Sequence, residues 1–576
     1  MQLGETADGA ALIDRAEALL MREDFASAGA TYDAALAVLE GRDEPAVVRA
    51  LVGRGWASHG ADDDDAALTY HQAALATQLR IAPDATAAIC TIRQGIGASL
   101  LALARLGEGK EQYRHVLALQ RELLDKSDPD IAETLNILGE TAAREEQYAE
   151  ARRYQEEALA LLRIIHPPDA PEIARALTNL GVSLFRLGSP NDAEVALRKA
   201  LTIDPNLLLA AENLIHVLYQ QGRNEEAHVL AAEKYRQQSF VVQPTPARPS
   251  GTLLVLWSLD GNIPKHHLLA RLPLVIVDWH VEYSNDAHER QLPPYDLVFN
   301  LIGDADEGTA ALACARAFEE RCAVQLLNEP RKVQQTRRHM IPELLAGIDD
   351  LVIPEVAQFA ATALKSPARE GLLRDAGLGL PLLLRSAGKH GGETLERITT
   401  GQKLAEHCLS LPAADTVYAT AYHKCRSSDG FYRKYRAIYV DGVMFPYHLA
   451  ISPHRVVHYF SAEMEAHPWK LDEELAYLDN AGAVLGARAM AALSAIGRRM
   501  GLDYCGVDFA LLPDGRVLLF EANATMLVHP EDEDGVLARK NPYVARILDA
   551  FDNMIWRNLP EANRWPLGSA SRPVLS

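Results

Sequence analysis

Three oxygen-bearing side chains late in the sequence have the types and spacing that hold a divalent cation. Asp508 lies in Gly506-Val507-Asp508-Phe509-Ala510, and Glu521 and Asn523 close the run Val517-Leu518-Leu519-Phe520-Glu521-Ala522-Asn523. The Pro513-Asp514-Gly515 turn between two apolar runs predicts a pair of strands. Residues two apart on a strand share a face, so Glu521 and Asn523 project together and Asp508 faces them from the partner strand. Two carboxylates and an amide oxygen suit Mg2+, which takes few protein oxygens and completes its shell with phosphate and water.

Ahead of them, five cations crowd into residues 424–436: Lys424, Arg426, Arg433, Lys434 and Arg436. The chain carries a formal net charge of −21. Cations packed this densely repel one another unless an anion sits among them. Alternation from Phe431 to Leu449 around Asp441-Gly442 predicts a β-hairpin, with Lys434 and Arg436 on one face. Further upstream runs Arg385-Ser386-Ala387-Gly388-Lys389-His390-Gly391-Gly392-Glu393. Gly388, Gly391 and Gly392 let backbone N–H groups close over phosphate oxygens. Arg385 and Lys389 add positive charge there. For His448, His454 and His458, a role as base and a purely structural role both stand open.

Taken in chain order, these motifs resemble the ATP-grasp superfamily, nearest in texture to glutathione synthetase. The resemblance covers residues 251–545. It takes in Asn328-Glu329-Pro330-Arg331, a helix carrying Thr336, Arg337, Arg338 and His339, the strand Leu380–Arg385, the glycine-rich loop, the hairpin with Arg436, and the Asp508, Glu521-x-Asn523 set. Arg385 stands where that family carries a lysine. The resemblance implies ATP between two sheets, held by Arg338, Arg385, Gly388, Lys389, Gly391 and Gly392. It implies Mg2+, replaceable by Mn2+, on Asp508, Glu521 and Asn523, with Arg436 and Lys434 as the catalytic cations at the transferred phosphate. The implied activity is a ligase that turns a carboxylate into an acyl phosphate for attack by an amine or thiol.

The elements that must position these groups follow from the texture of the chain. From Thr252, short apolar runs alternate with helix-like segments: Leu253–Trp257, Leu274–Asp278, Tyr295–Asn300 and Ala323–Asn328. That alternation predicts a small, mainly parallel sheet. Before it lies a different texture. Gly55, Gly97, Gly139 and Gly181 recur every 42 residues, with small residues Ala67, Gly109, Ala151 and Ala193 in the same phase. Such a period marks stacked helical hairpins, the small residues letting two helices approach. Pro83-Asp84, Asp128-Pro129, Pro168-Asp169 and Asp204-Pro205 punctuate the units, proline stopping one helix and Asp capping the next. The segments resemble tetratricopeptide repeats of the long kinesin-light-chain type, in about six units. Three prolines between Pro244 and Pro249 predict a semi-rigid linker.

The expected order is thus an α-solenoid over residues 1–242, a linker over 243–250, a pre-ATP-grasp α/β domain over 251–335 and ATP-grasp nucleotide-binding and catalytic domains over 336–576. The resemblance to repeats implies a peptide or protein partner on the array, beside a small-molecule amine or carboxylate substrate. Two alternatives stand: a small-molecule ligase whose repeats build a homo-oligomer, and a non-catalytic scaffold with a degenerate nucleotide domain. The acidic balance argues against nucleic acid. No run reaches the ~20 apolar residues of a membrane span, and the mean hydropathy is −0.09. The acidic N-terminus lacks a signal-peptide pattern, which points to the cytoplasm. Six scattered cysteines without a C-x-x-C pair argue for reduced thiols.

Overall fold

The computed structural model describes residues 2–39, 41, 43–243, 249–387, 395–413, 415–459 and 461–561. The chain divides into two compact units, Met1–Gln237 and Gln238–Pro573.

The first unit is a run of six helical hairpins: α1 (Gln2–Leu20) with α2 (Phe25–Leu39), α3 (Glu44–Gly60) with α4 (Asp64–Ile81), α5 (Thr86–Ala102) with α6 (Leu106–Leu123), α7 (Pro129–Arg144) with α8 (Tyr148–Ile165), α9 (Pro171–Arg186) with α10 (Pro190–Ile203), and α11 (Leu208–Gln220) with α12 (Asn224–Tyr235). The recurring glycines sit where the two helices of a hairpin meet. A Cβ on Gly139 would lie 2.9 Å from Gln155 Cγ, and one on Gly181 2.7 Å from Leu197 Cγ. A side chain there would crowd the facing helix and make Gln155 or Leu197 shift. The Asp/Pro punctuation is only partly the capping expected from the sequence. Asp128 accepts from the Asp130 N–H at 3.0 Å, with Pro129 opening α7. In the three other pairs the residue before the helix is Ala85, Ala170 or Leu207, so the Asp does not cap. Backbone turns close those ends instead.

Among its described residues the second unit holds three sheets. In the first, β2 (Thr252–Trp257), β3 (Val275–His280), β4 (Leu297–Asn300) and β5 (Leu326–Leu327) run parallel, in the order β3-β2-β4-β5. An antiparallel edge strand, β1 (Phe240–Val242), pairs with β3. The boundary read from the sequence at residue 242 therefore moves to 237, because Phe240, Val241 and Val242 are β-formers that extend a sheet. Of the linker read over 243–250, residues 244–248 lie outside the described residues. A strand β6 (Leu351–Val352) precedes the second sheet. That sheet is antiparallel, with β7 (Val356–Ala360), β10 (Thr416–Ala421), β8 (Leu382–Ser386) and β9 (Glu396–Ile398) in that order. The third orders β12 (Val443–Ser452), β11 (Tyr432–Val440), β13 (Tyr504–Leu511), β14 (Val517–Asn523) and β6.

One hydrophobic core joins the first and third sheets, so packing does not break at residue 335. Phe551, from the last helix, meets Phe299 of β4 at 5.4 Å and Tyr504 of β13 at 5.7 Å, both edge-on. Buried Asn328 donates to the Tyr504 carbonyl and accepts from its N–H. The second sheet keeps a separate core around Leu364, Leu384 and Val417. Arg338 is not on the helix expected from the sequence. The segment holds a one-turn helix, Pro330–Val333, and a 3-10 turn, Gln334–Thr336, and Arg338 follows both. Pro342 stands in the first turn of the next helix, Ile341–Leu344, and a proline there cannot continue a helix running through Arg338.

Candidate functional site

The third sheet draws four side chains into a row. Arg436 on β11 stands opposite His448 on β12 and opposite Asp508 on β13, and Asp508 stands opposite Glu521 on β14. Cross-strand partners share a face, so the four form one line across four strands. The register slips next to the row on both sides: Tyr447 is the extra residue of β12 and Phe520 that of β14. Such bulges re-aim neighbouring side chains. The Asp441-Gly442 turn that sets the β11–β12 hairpin has positive φ at both residues, 50° and 73°, the geometry of a type I′ turn.

The charges alternate along the row. Arg436 grips Asp508 with two bonds, Nε to Oδ1 at 2.6 Å and Nη2 to Oδ2 at 2.9 Å, and Lys434 donates to Oδ2 at 3.1 Å. Burial alone would raise the Asp508 carboxyl; Arg436 and then Lys434 outweigh it and hold the group well below the ordinary carboxylate range. Arg338 donates to Glu521 Oε1 at 2.8 Å. Burial opposes ionisation of Glu521 as well, and Arg338 reverses it. Asn523 Nδ2 donates to the same Oε1 at 3.1 Å, while its Oδ1 accepts from the Thr525 N–H and hydroxyl, both at 3.0 Å. In this orientation Asn523 steadies Glu521.

A phosphate-bearing ligand with a divalent cation fits this donor set in one respect and conflicts with it in another. Asp508 and Glu521 are adjacent hard carboxylates, the right chemistry for Mg2+. Both are already engaged by cations, so an incoming polyanion must draw those cations off first. Among the described residues no three acidic, histidine or cysteine side chains gather as a metal-binding group. A cation here would rest on the two carboxylates and on phosphate oxygens.

The second sheet contributes Arg385 on β8, paired in register with Tyr418 on β10. Burial, and then the charge of Arg338, lower its pKa, and its own charge favours ionised Glu521. Gly388, Lys389, Gly391 and Gly392 lie outside the described residues. Two groups escaped the sequence reading. The Tyr418 hydroxyl donates to Asp306 Oδ1 at 2.7 Å, and the Arg338 N–H to Asp306 Oδ2 at 3.4 Å. Asp306 follows β4, at the carboxyl end of a parallel strand, where α/β sheets place ligands. That rule could have flagged it; nothing in the sequence flags Tyr418.

The histidines separate. His448 ends the row, stacked on Tyr459 at 4.8 Å. Burial, and then Arg436, keep it neutral, well below its ordinary value. The His454 N–H donates to Ser452 Oγ. His458 is likewise lowered, by burial and then Lys434. Cys90, Cys314, Cys322, Cys408, Cys425 and Cys505 all carry free thiols.

A family model described as tetratricopeptide repeat matches residues 88–164 and 130–206, from the first turn of α5 to just past α10. Solved structures similar to this chain include kinesin-light-chain nearly identical TPR-like repeats from Podosopora anserina, at 16% identity, covering 32% of this chain and 90% of that one, with a TM-score of 0.29. BtubC (BKLC) from P. vanneervenii gives 17% identity, with 40% and 89% covered and a TM-score of 0.31. The apo form of RapI gives 14%, with 39% and 94% covered and a TM-score of 0.32. No curated protein matches the chain. Residues 88–206 are tetratricopeptide repeats. No described helix is long and apolar enough to cross a membrane.

Proposed function

We propose that the α/β unit is an ATP-dependent ligase of the ATP-grasp type, joining a carboxylate to an amine or thiol, and that the helical array recruits a peptide or protein that is, or carries, a substrate. The observation that carries the reading is the alternating row Arg436–Asp508–Glu521, flanked by Lys434 and Arg338. It sets cations beside two carboxylates in a partly buried site, the arrangement that stabilises a transferring phosphoryl group.

Bound Mg-ATP would supply the phosphoryl group and neutralise its charge, held by Asp508 and Glu521. Arg436 and Lys434, which rest on Asp508, would turn to phosphate oxygens and free that carboxylate. Arg338 would do the same from Glu521, which Asn523, itself held by Thr525, steadies. The bulges at Tyr447 and Phe520 set the direction in which Arg436 and Glu521 enter the row. A second reading, a scaffold without catalysis, draws support from the same ion pairs, since every carboxylate of the row already has a cation.

The experiment is incubation of the full chain with ATP, Mg2+ and panels of carboxylates, amines and thiols, followed by ADP and product mass. Mg-dependent ADP release that Glu521→Ala abolishes supports the ligase. Release that the variant leaves intact overturns the assignment of Glu521 as a metal ligand, and no release with any pair favours the scaffold.

A further inference from the structure

Arginines from two differently packed parts of the α/β unit stand near Glu521. Arg338 follows the first sheet in the chain and donates to Glu521 Oε1 at 2.8 Å. Arg385 comes from β8 of the second sheet, which packs on a core of its own. Burial, and then the charge of Arg338, lower the pKa of Arg385, while Glu521, Asp304 and Asp306 oppose that effect. Like charges held together in a half-buried site repel, so their spacing must be fixed by other contacts.

Asp306 makes contacts to both sides. Its backbone is held in the turn after β4, where Asp304 Oδ1 accepts from the N–H groups of Asp306 at 2.8 Å and Glu307 at 3.0 Å. The Asp304 N–H in turn donates to the Gly261 carbonyl at 2.7 Å. From this turn Asp306 gives one oxygen to each neighbour. Oδ1 accepts the Tyr418 hydroxyl at 2.7 Å, and Oδ2 the backbone N–H of Arg338 at the longer distance of 3.4 Å. Tyr418 is paired in register with Arg385 and so shares its face of the second sheet. The Tyr418 ring is buried and stacked on His339 at 6.2 Å, with His339 Nδ1 3.5 Å from the same hydroxyl. Burial, and then the bond to Asp306, push the phenol well above its ordinary value, so it stays a donor. A polyanion that draws the Arg338 side chain off Glu521 leaves both bonds of Asp306 intact, because they reach Arg338 by its backbone and Arg385 through the adjoining strand. We propose that Asp306, acting with Tyr418, is a positioning residue that sets the spacing of Arg338 and Arg385 and thereby the place where a polyphosphate is gripped. The inference rests on the nucleotide reading above and gives a role to two groups which that reading leaves unused.

The test is titration calorimetry of the full chain with Mg2+ and a non-hydrolysable ATP analogue, beside steady-state ADP release. Tyr418→Phe keeps the ring and its stack and removes only the hydroxyl, so the melting temperature holds. Its affinity for the analogue falls about tenfold, and KM for ATP rises to match while kcat stays within about threefold, since Arg436 and Lys434 are untouched. Asp306→Ala loses both bonds and falls about thirtyfold. The double variant falls no further than Asp306→Ala alone, because the hydroxyl acts through that carboxylate. Losses that simply multiply would overturn the pairing. A lowered melting temperature with unchanged affinity would make the bond a structural one and overturn the positioning role. Wild-type binding that neither variant alters overturns this inference and leaves the nucleotide reading standing, whereas a wild type that binds no analogue overturns both.

Discussion

The two units use the same chemical pair to opposite ends. In the array, Arg121 and Glu157 meet with side chains 49% and 44% exposed. In the α/β unit, Arg436 and Asp508 meet with side chains 19% and 4% exposed. The first is a solvated contact repeated with the helices. The second is a charge pair withdrawn from water, where removing one partner strands the other. An ion pair thus carries little information about function until its burial is known.

Arg436→Ala gives the largest contrast. ADP release under the ligase reading falls about a thousandfold or more, and the α/β unit loses about 3 kcal/mol because Asp508 is left buried without its bidentate partner. Paired calorimetry and single-turnover assays check both; unchanged melting would show that the row is solvated like the array.

Acid tests the array's own buried group. His71 is wholly buried, with Ser99 and Trp56 beside it. Burial, and then the nearby His59, lower its pKa from 6.5 to about 4. Between those values the unfolded chain binds a proton that the folded one refuses. Stability is therefore highest above the ordinary histidine value and falls as pH drops through the window, by about 3 kcal/mol in full. Denaturation of wild type and His71→Leu at pH 7 and pH 4.5 measures it, the variant showing a flatter loss.

Gly181→Ala separates close packing from charge. Its Cβ meets Leu197, and the crowding, partly offset by better helix propensity, costs the array about 1 kcal/mol. The α/β unit keeps its melting temperature. Arg121→Ala should do least, about 0.5 kcal/mol. A loss as large as that of Arg436→Ala would erase the distinction between the two pairs.

Much of the array was open to reading from sequence, because its contacts are local. A glycine every 42 residues and a hairpin every period are statements about neighbours in the chain. The family match over 88–206 covers the clearest part of that pattern. The candidate site was legible only as parts. Asp508 and Glu521 stood out as hard ligands, and Lys434 with Arg436 as cations on one face. That Arg436 spends itself on Asp508, that Arg338 reaches Glu521 from 183 residues away, and that Asp306 and Tyr418 join them did not follow from spacing.

By itself the sequence determined the elements: the hairpin repeat, the parallel strands from Thr252, the turn at Asp441-Gly442 and the faces on which charged residues project. Each depends on periods of about 3.6 or 2 residues and on turn chemistry, which are properties of short segments. Only the tertiary structure decided which charges meet, where the first unit ends and which strand receives Phe240–Val242. Those outcomes depend on register between strands distant in sequence and on the water that packing excludes, and neither is written in any single segment.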